Sequence, residues 1–104
     1  MASRIELKVS HTLPIDEAVA RIAALAEYYQ HRHHATITWT DRVVHIEVRY
    51  LGVRIDARAA VEADAVRCDA TDPGFLLRAR GIKYMTTKLR RYLDAPTLTD
   101  LPRS

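Results

Sequence analysis

Residues 35–61, ATITWTDRVVHIEVRYLGVRIDARAAV, decide the fold class because apolar and polar side chains alternate almost without interruption. A period of two is typical of half-buried β-strands. Asp41-Arg42 and Leu51-Gly52 interrupt the alternation, and Gly52 can adopt the positive φ that a tight turn requires. The stretch therefore predicts three antiparallel strands that are joined by short turns and share one apolar face.

Two further strands are predicted outside this stretch. Residues 4–10 alternate in the same way, and a short last strand is expected at 65–69, after a polar break near Glu62. Four consecutive strands joined by short turns would form an antiparallel meander.

Two segments have the period of amphipathic helices. The first begins at Pro14, and its polar side includes Glu17 and Arg21. The second begins after Thr71, with Asp72 as a candidate cap. Its apolar stripe consists of Phe75, Ile82, Met85, Leu89, Tyr92 and Leu93.

The resulting order, β-α-β-β-β-β-α, predicts an α+β domain in which both helices pack on the apolar face of a curved antiparallel sheet. This architecture resembles a shortened helix-grip fold, the fold of START-like lipid-binding domains. With 104 residues the chain is expected to form one domain over 1–94, followed by a flexible tail over 95–104 that contains two prolines.

The composition argues against a disordered protein, a transmembrane protein and an exported protein. Hydrophobic residues make up 48% and charged residues 28% of the chain, as in an ordinary globular protein. We expect no transmembrane segment and no signal peptide, because no apolar run is long enough and the first ten residues lack an apolar core. Cys68 is the single cysteine, which suits a reducing cytoplasm.

The second predicted helix carries the strongest functional signal. Residues 73–93 contain six basic residues and no acidic one, beside two leucines that fall off the apolar stripe. Such a helix could adsorb to a lipid or polymer surface, with apolar anchors among cations. The candidate surface-binding residues are Leu76, Leu77, Arg78, Arg80, Lys83, Arg90 and Arg91.

Two other interpretations of this helix stay open. Its stripe could simply pack on the sheet while the cations are solvated, or the cations could bind the phosphates of a nucleic acid. The net charge of only +3 and the lack of recognisable reading elements argue against nucleic acid.

A small carrier is the alternative function. An acyl or hydroxyacyl ligand could lie between helix and sheet near Trp39, Ala57 and Ala59, although the small alanines could equally allow close packing. A homodimer through an exposed strand edge or through Leu76-Leu77 is also compatible with the sequence.

No set of residues indicates catalysis or a cofactor. His31, His33 and His34 lie at the end of the first helix, where His31 and His34 have the i, i+3 spacing of an imidazole pair. A zinc site needs three or four ligands, and no Cys-rich segment or His-Glu motif is present to complete one. Histidines there also complement the negative end of the helix dipole. We therefore expect no metal, no cofactor and no enzymatic activity.

Several motifs resemble the polyhydroxyalkanoic acid system family of small bacterial proteins. They are His11-Thr12-Leu13, Asp16-Glu17-Ala18, Trp39, Gly74-Phe75-Leu76-Leu77-Arg78 and Arg91-Tyr92-Leu93-Asp94. The resemblance covers about residues 4–94. It implies a cytoplasmic accessory protein of storage-polyester metabolism, with the granule surface or granule-bound proteins as partners, and it carries no catalytic residue onto this chain.

Overall fold

The computed structural model describes residues 4–50, 52–72 and 74–95, leaving out the side chains of Tyr50, Val53, Phe75 and Leu76. The strands are β1 (Arg4–Ser10), β2 (Thr36–Thr40), β3 (Val43–Tyr50), β4 (Val53–Val61) and β5 (Ala65–Thr71), and the helices are α1 (Ile15–His33) and α2 (Phe75–Leu93). The predicted element order and the α+β fold class are confirmed.

All five strands form one antiparallel sheet in the order β1-β5-β4-β3-β2. Strands β2 to β5 form the predicted meander, and Gly52 has a φ of 79° between β3 and β4. The sequence did not predict that β1 pairs with β5. Helix α1 connects β1 at one edge of the sheet to β2 at the other. Its 19 residues span about 28 Å, which is enough to cross the roughly 19 Å of four strand spacings.

The strand register gathers the apolar side chains on the inner face of the sheet. Leu7, Cys68, Ala59, Val44 and Trp39 form one row across all five strands. Both helices pack on this face, which makes it the core of the protein. The buried residues of the core cluster also include Val9, Val61 and Val66 of the sheet and Ala18, Ile22, Leu25, Ala26, Leu89, Tyr92 and Leu93 of the helices.

The outer face of the sheet carries a network of ion pairs. Asp69 Oδ2 accepts hydrogen bonds from Arg4 Nε at 3.0 Å and from Arg58 Nη2 at 2.9 Å. Burial alone would raise the pKa of Asp69, but the hydrogen bonds from Arg58 and Arg4 outweigh it and lower that pKa. This face is therefore solvated, and the core lies on one side of the sheet only.

Arg21 joins the two helices. Its Nη1 donates to the carbonyls of Tyr92 at 3.1 Å, Leu93 at 3.4 Å and Ala95, while Nε and Nη2 donate to Glu17 Oε1. The prediction that Arg21 lies on the polar side of α1 is wrong, since only 2% of it is exposed. The last carbonyls of a helix lack partners within the helix, and the guanidinium supplies the donors.

The starts of the helices differ slightly from the prediction. Pro14 precedes α1 and is not its first residue. Gly74, with a φ of 99°, precedes α2. Asp72 therefore does not cap α2 but accepts the N–H of Gly74 at 2.9 Å, in the turn before the helix.

His11 lies buried where β1 leads into α1. Its Nε2 donates to the carbonyl of Glu62 at 2.9 Å, and its Nδ1 accepts the N–H of Leu13 at 3.1 Å. Both ring nitrogens therefore hold the junction. Ala95 packs against the core beyond α2, and residues 96–104 of the predicted tail lie outside the described residues.

Candidate surface-binding site

One side of α2 faces solvent. Its apolar stripe packs inward, with Leu89 and Leu93 buried. On the opposite side, Leu77 is 51% and Tyr84 46% exposed, and their spacing of seven residues places them two turns apart on the same side of the helix. Sequence reasoning found Leu77 because it lies off the stripe, but it missed Tyr84.

Three cations surround these exposed side chains. Arg80, Lys83 and Arg91 are all exposed, and none of the ion pairs within 4.0 Å among the described residues includes them. We define the basic face of α2 as Leu77, Arg80, Lys83, Tyr84 and Arg91. It combines apolar groups with positive charge that the described residues do not neutralise.

Two other predicted surface-binding cations are held by the fold. Arg78 donates to Asp72 Oδ2 from Nε at 2.9 Å and lies 2.7 Å from it through Nη2. The hydrogen bond from Arg78, followed by that from the N–H of Gly74, lowers the pKa of Asp72. Arg90 donates to the carbonyl of Ser10 at 2.8 Å. Both arginines thus have structural contacts.

Leu76 lies in α2, but its side chain is outside the described residues. Its role in surface binding stays a prediction.

An aromatic cluster holds Tyr84 in place. Tyr29 Oη donates to Tyr84 Oη at 2.9 Å, and Lys88 Nζ lies 4.5 Å from the centre of the Tyr28 ring. Burial, followed by the hydrogen bond to Tyr84, raises the pKa of Tyr29. These contacts hold the middle of the basic face, at Tyr84, against α1. In the sequence, the one sign of this cluster is the four-residue spacing of Tyr84 and Lys88, which places both side chains on the same side of α2.

The predicted pocket residues lie near one another on the inner face. Ala59 is buried next to Val44, which is itself fully buried between Ala59 and Trp39. Trp39 is 36% exposed at the free edge of the sheet, and Ala57 is half-buried in the next row. Close packing therefore separates Trp39 from Ala59, and a ligand pocket at the three residues stays a prediction.

A groove of about 490 Å³ lies on the other side of the sheet. Its lining includes Lys8, Val43, Arg58, Ala60 and Arg67. It is therefore distinct from the space between helix and sheet in which the carrier hypothesis places a ligand.

A comparison with protein families settles the relationship that the motifs suggested. A family model of polyhydroxyalkanoic acid system proteins matches residues 5–95, which include both helices and nearly all of the sheet. The chain belongs to this family. A search of curated proteins found no match to it. The family description assigns its members to the polyhydroxyalkanoic acid system and names no reaction and no ligand.

In this polyhydroxyalkanoic acid system protein, neither described helix combines the length and the apolar character that a membrane span requires.

Histidines and carboxylates come together on the sheet, away from the end of α1. His31, His33 and His34 are exposed. On the outer face, ligand atoms of His45, Glu47 and Asp56 lie within 4.8 Å of one another. The sequence pattern did not indicate this group, because Asp56 lies on β4, opposite Glu47 of β3 in the register.

The three side chains could supply ligands to a divalent cation, but they already bond within the protein. His45 Nε2 lies 2.5 Å from Asp56 Oδ1, and Arg54 donates to Glu47 Oε2 at 2.8 Å. Arg54 thus neutralises Glu47, which lowers the attraction of the group for a cation.

Cys68 has the environment of a packed side chain. It is buried in the core, where desolvation, followed by the charge of Asp69, raises the pKa of its thiol to about 12. A thiol with this pKa is almost entirely protonated at neutral pH, and the thiolate is the reactive form. The geometry therefore gives Cys68 no nucleophilic character.

Proposed function

We propose that this protein is a non-enzymatic, cytoplasmic accessory protein of polyhydroxyalkanoate metabolism. It contacts the surface of the storage-polyester granule through the basic face of α2. Membership of the polyhydroxyalkanoic acid system family supports the setting. The observation that carries the mode of contact is the exposure of Leu77 among cations that lack ion-pair partners in the described part of the chain.

The chemistry of the basic face suits a polyester particle. Polyester chains present alkyl groups and ester carbonyls. Leu77 and Tyr84 would bury apolar surface against the alkyl groups. Arg80, Lys83 and Arg91 would donate hydrogen bonds to carbonyls and attract anionic groups at the surface. No residue of the basic face is needed to cover the core, so contact requires no unfolding of α2.

The absence of catalysis is part of the proposal. Cys68 is protonated in the core, and the described His45 group is bonded within the sheet. The exposed features of α2 suit adsorption to a surface, which needs area and charge more than an enclosed polar site.

Sedimentation with purified granules tests the proposal. We expect the wild-type protein to pellet with granules, including granules whose bound proteins have been removed by protease. Leu77→Ser should weaken binding about tenfold or more, because burying a leucine contributes about 1.5–3 kcal/mol. Leu77→Met is the matched control: it keeps an apolar side chain at the same position and should bind like the wild type.

Circular dichroism and the midpoint of urea denaturation establish that both variants are folded. Equal binding by the serine and methionine variants would contradict a contact through Leu77. Binding that disappears when granule proteins are removed would contradict direct contact with the granule surface and would indicate a protein partner.

A further inference from the structure

Among the residues that the structure describes, no strand pairs with the outer side of β2, so this edge of the sheet is open. β2 is the last strand in the order β1-β5-β4-β3-β2, and all of its residues except Ile37 are exposed. Natural sheet edges are usually protected by charges, proline or bulges, because free N–H and C=O groups can pair with another chain. β2 reads Thr-Ile-Thr-Trp-Thr and contains neither a charge nor a proline.

The opposite edge is protected. β1 carries Arg4, Glu6 and Lys8 on its solvent-facing side. Pairing of two β1 strands would bring these charged side chains close together, which disfavours it. Helix α2 also lies along β1, and Arg90 bonds to the carbonyl of Ser10. The two edges of one sheet therefore differ in their capacity to pair.

The register shows which backbone groups of β2 point outward. Thr40 and Val43 flank the two-residue β2–β3 turn, so they form a pair that exchanges hydrogen bonds. Because such pairs alternate along antiparallel strands, Thr38 also bonds toward β3. The N–H and C=O groups of Ile37 and Trp39 then point away from the sheet.

We propose that two copies of this chain associate through β2, antiparallel about a two-fold axis at Thr38. In this register Ile37 of each copy lies opposite Trp39 of the other, and the outward backbone groups of both residues form four hydrogen bonds. Threonine faces threonine on the outer face, with Thr38 next to Thr38 and Thr36 opposite Thr40. Ile37 and Trp39 pack together on the inner face, which accounts for the tryptophan at the rim.

The arrangement closes on itself. The β2 strand is the same patch in both copies, so the interface is isologous, and the charged β1 strands become the two ends of a ten-stranded sheet. The association therefore stops at a dimer. The two-fold axis is perpendicular to the sheet, so the helices of both copies lie on the same side. None of this depends on granule binding.

Sedimentation velocity over a range of concentrations tests the dimer. We expect wild-type protein to approach twice the 11.8 kDa mass of one chain as concentration rises. Thr38→Lys places two ammonium groups beside the axis and should shift the protein to monomer, while Ser10→Lys, which adds the same charge on β1, should remain a dimer. Thr38 and Ser10 are both exposed, so neither change should disturb the core. A monomer at all concentrations, or a dimer that Thr38→Lys leaves intact, would overturn the proposal.

Disulfide formation tests the register. Residues directly opposite in a pair without hydrogen bonds have Cα atoms about 4.5 Å apart, within the range that a disulfide spans. Thr38→Cys should therefore form a covalent dimer under mild oxidation at least ten times faster than Ser10→Cys. Cys68 is buried and protonated, so wild-type protein is the background control. Equal rates for the two cysteine variants would rule out an axis at Thr38.

Discussion

The two helices have the same length, 19 residues, but Arg21 of α1 and the cations in the basic face of α2 differ in what they contact. Arg21 of α1 is buried, and among the described residues it donates hydrogen bonds to Glu17 and to carbonyls at and just beyond the end of α2. Arg80 and Arg91 of α2 are exposed and take part in no ion pair among the described residues. The comparison separates a cation that holds the fold from cations that remain available to a partner.

The largest expected effect is on the structural cation. Arg21→Met should lower the free energy of unfolding by about 3 kcal/mol, because it removes the donors from buried carbonyls and leaves Glu17 without its ion pair. Urea denaturation followed by circular dichroism measures this.

Arg80→Met is the matched control, since it makes the same substitution in an exposed part of α2. It should change the free energy of unfolding by less than about 0.5 kcal/mol. The comparison between the helices fails if the two substitutions cost the same.

A smaller effect is expected where the helices meet through tyrosines. Tyr29→Phe removes the donor to Tyr84 and should cost about 0.5–1 kcal/mol, with Tyr84→Phe and the double variant completing a cycle. A cycle with no coupling energy would show that the hydroxyls do not hold Tyr84 in the basic face.

Burial of Tyr29, followed by its hydrogen bond to Tyr84, raises the pKa of Tyr29 and makes stability depend on pH. In the unfolded chain a tyrosine loses its proton near pH 10, before folded Tyr29 does. The stabilisation is thus fully present below pH 10 and is lost as pH rises further. Burial also raises the pKa of Tyr92, so ultraviolet titration should show one fewer tyrosine ionising late in Tyr29→Phe than in the wild type.

Acid should release one cation of α2 from its structural contact. The pKa of Asp72 is lowered in the folded protein by Arg78, so the contribution of this pair to stability is present above about pH 4 and is lost as pH falls below it. The protection factor for hydrogen exchange at the Gly74 amide should fall over that range. Asp72→Asn should remove this acid dependence, and an unchanged profile in the variant would exclude Asp72 as its source.

The sequence predicted most of the fold because strand alternation and helix periodicity are local properties. The meander, both helices and the exposure of Leu77 followed from these patterns. The pairing of β1 with β5 and the burial of Arg21 did not, because each depends on residues more than 50 positions away in the chain.

The position of the candidate site was predictable from local patterns, but the contacts of its individual residues were not. The charge bias of residues 73–93 indicated the basic face, but the sequence could not separate Arg78 and Arg90, which bond to Asp72 and Ser10, from Arg80 and Arg91. Tyr84 was missed because its partner Tyr29 lies on the other helix. The sequence therefore did not predict contacts between different helices and strands.

The proposed granule contact through the basic face of α2 is tested most directly by a triple substitution that should have the smallest effect on stability. Replacing Arg80, Lys83 and Arg91 together with glutamine should leave the free energy of unfolding within about 0.5 kcal/mol of the wild type. Replacing Arg32, Arg42 and Arg49, three exposed arginines elsewhere, is the control with the same loss of charge.

The measurement is sedimentation of both triple variants with purified granules. We predict that the α2 variant binds about tenfold or more weakly, since each cation near an anionic surface contributes about 1 kcal/mol, while the control binds like the wild type. Equal binding by the two variants would contradict a granule contact through the basic face of α2.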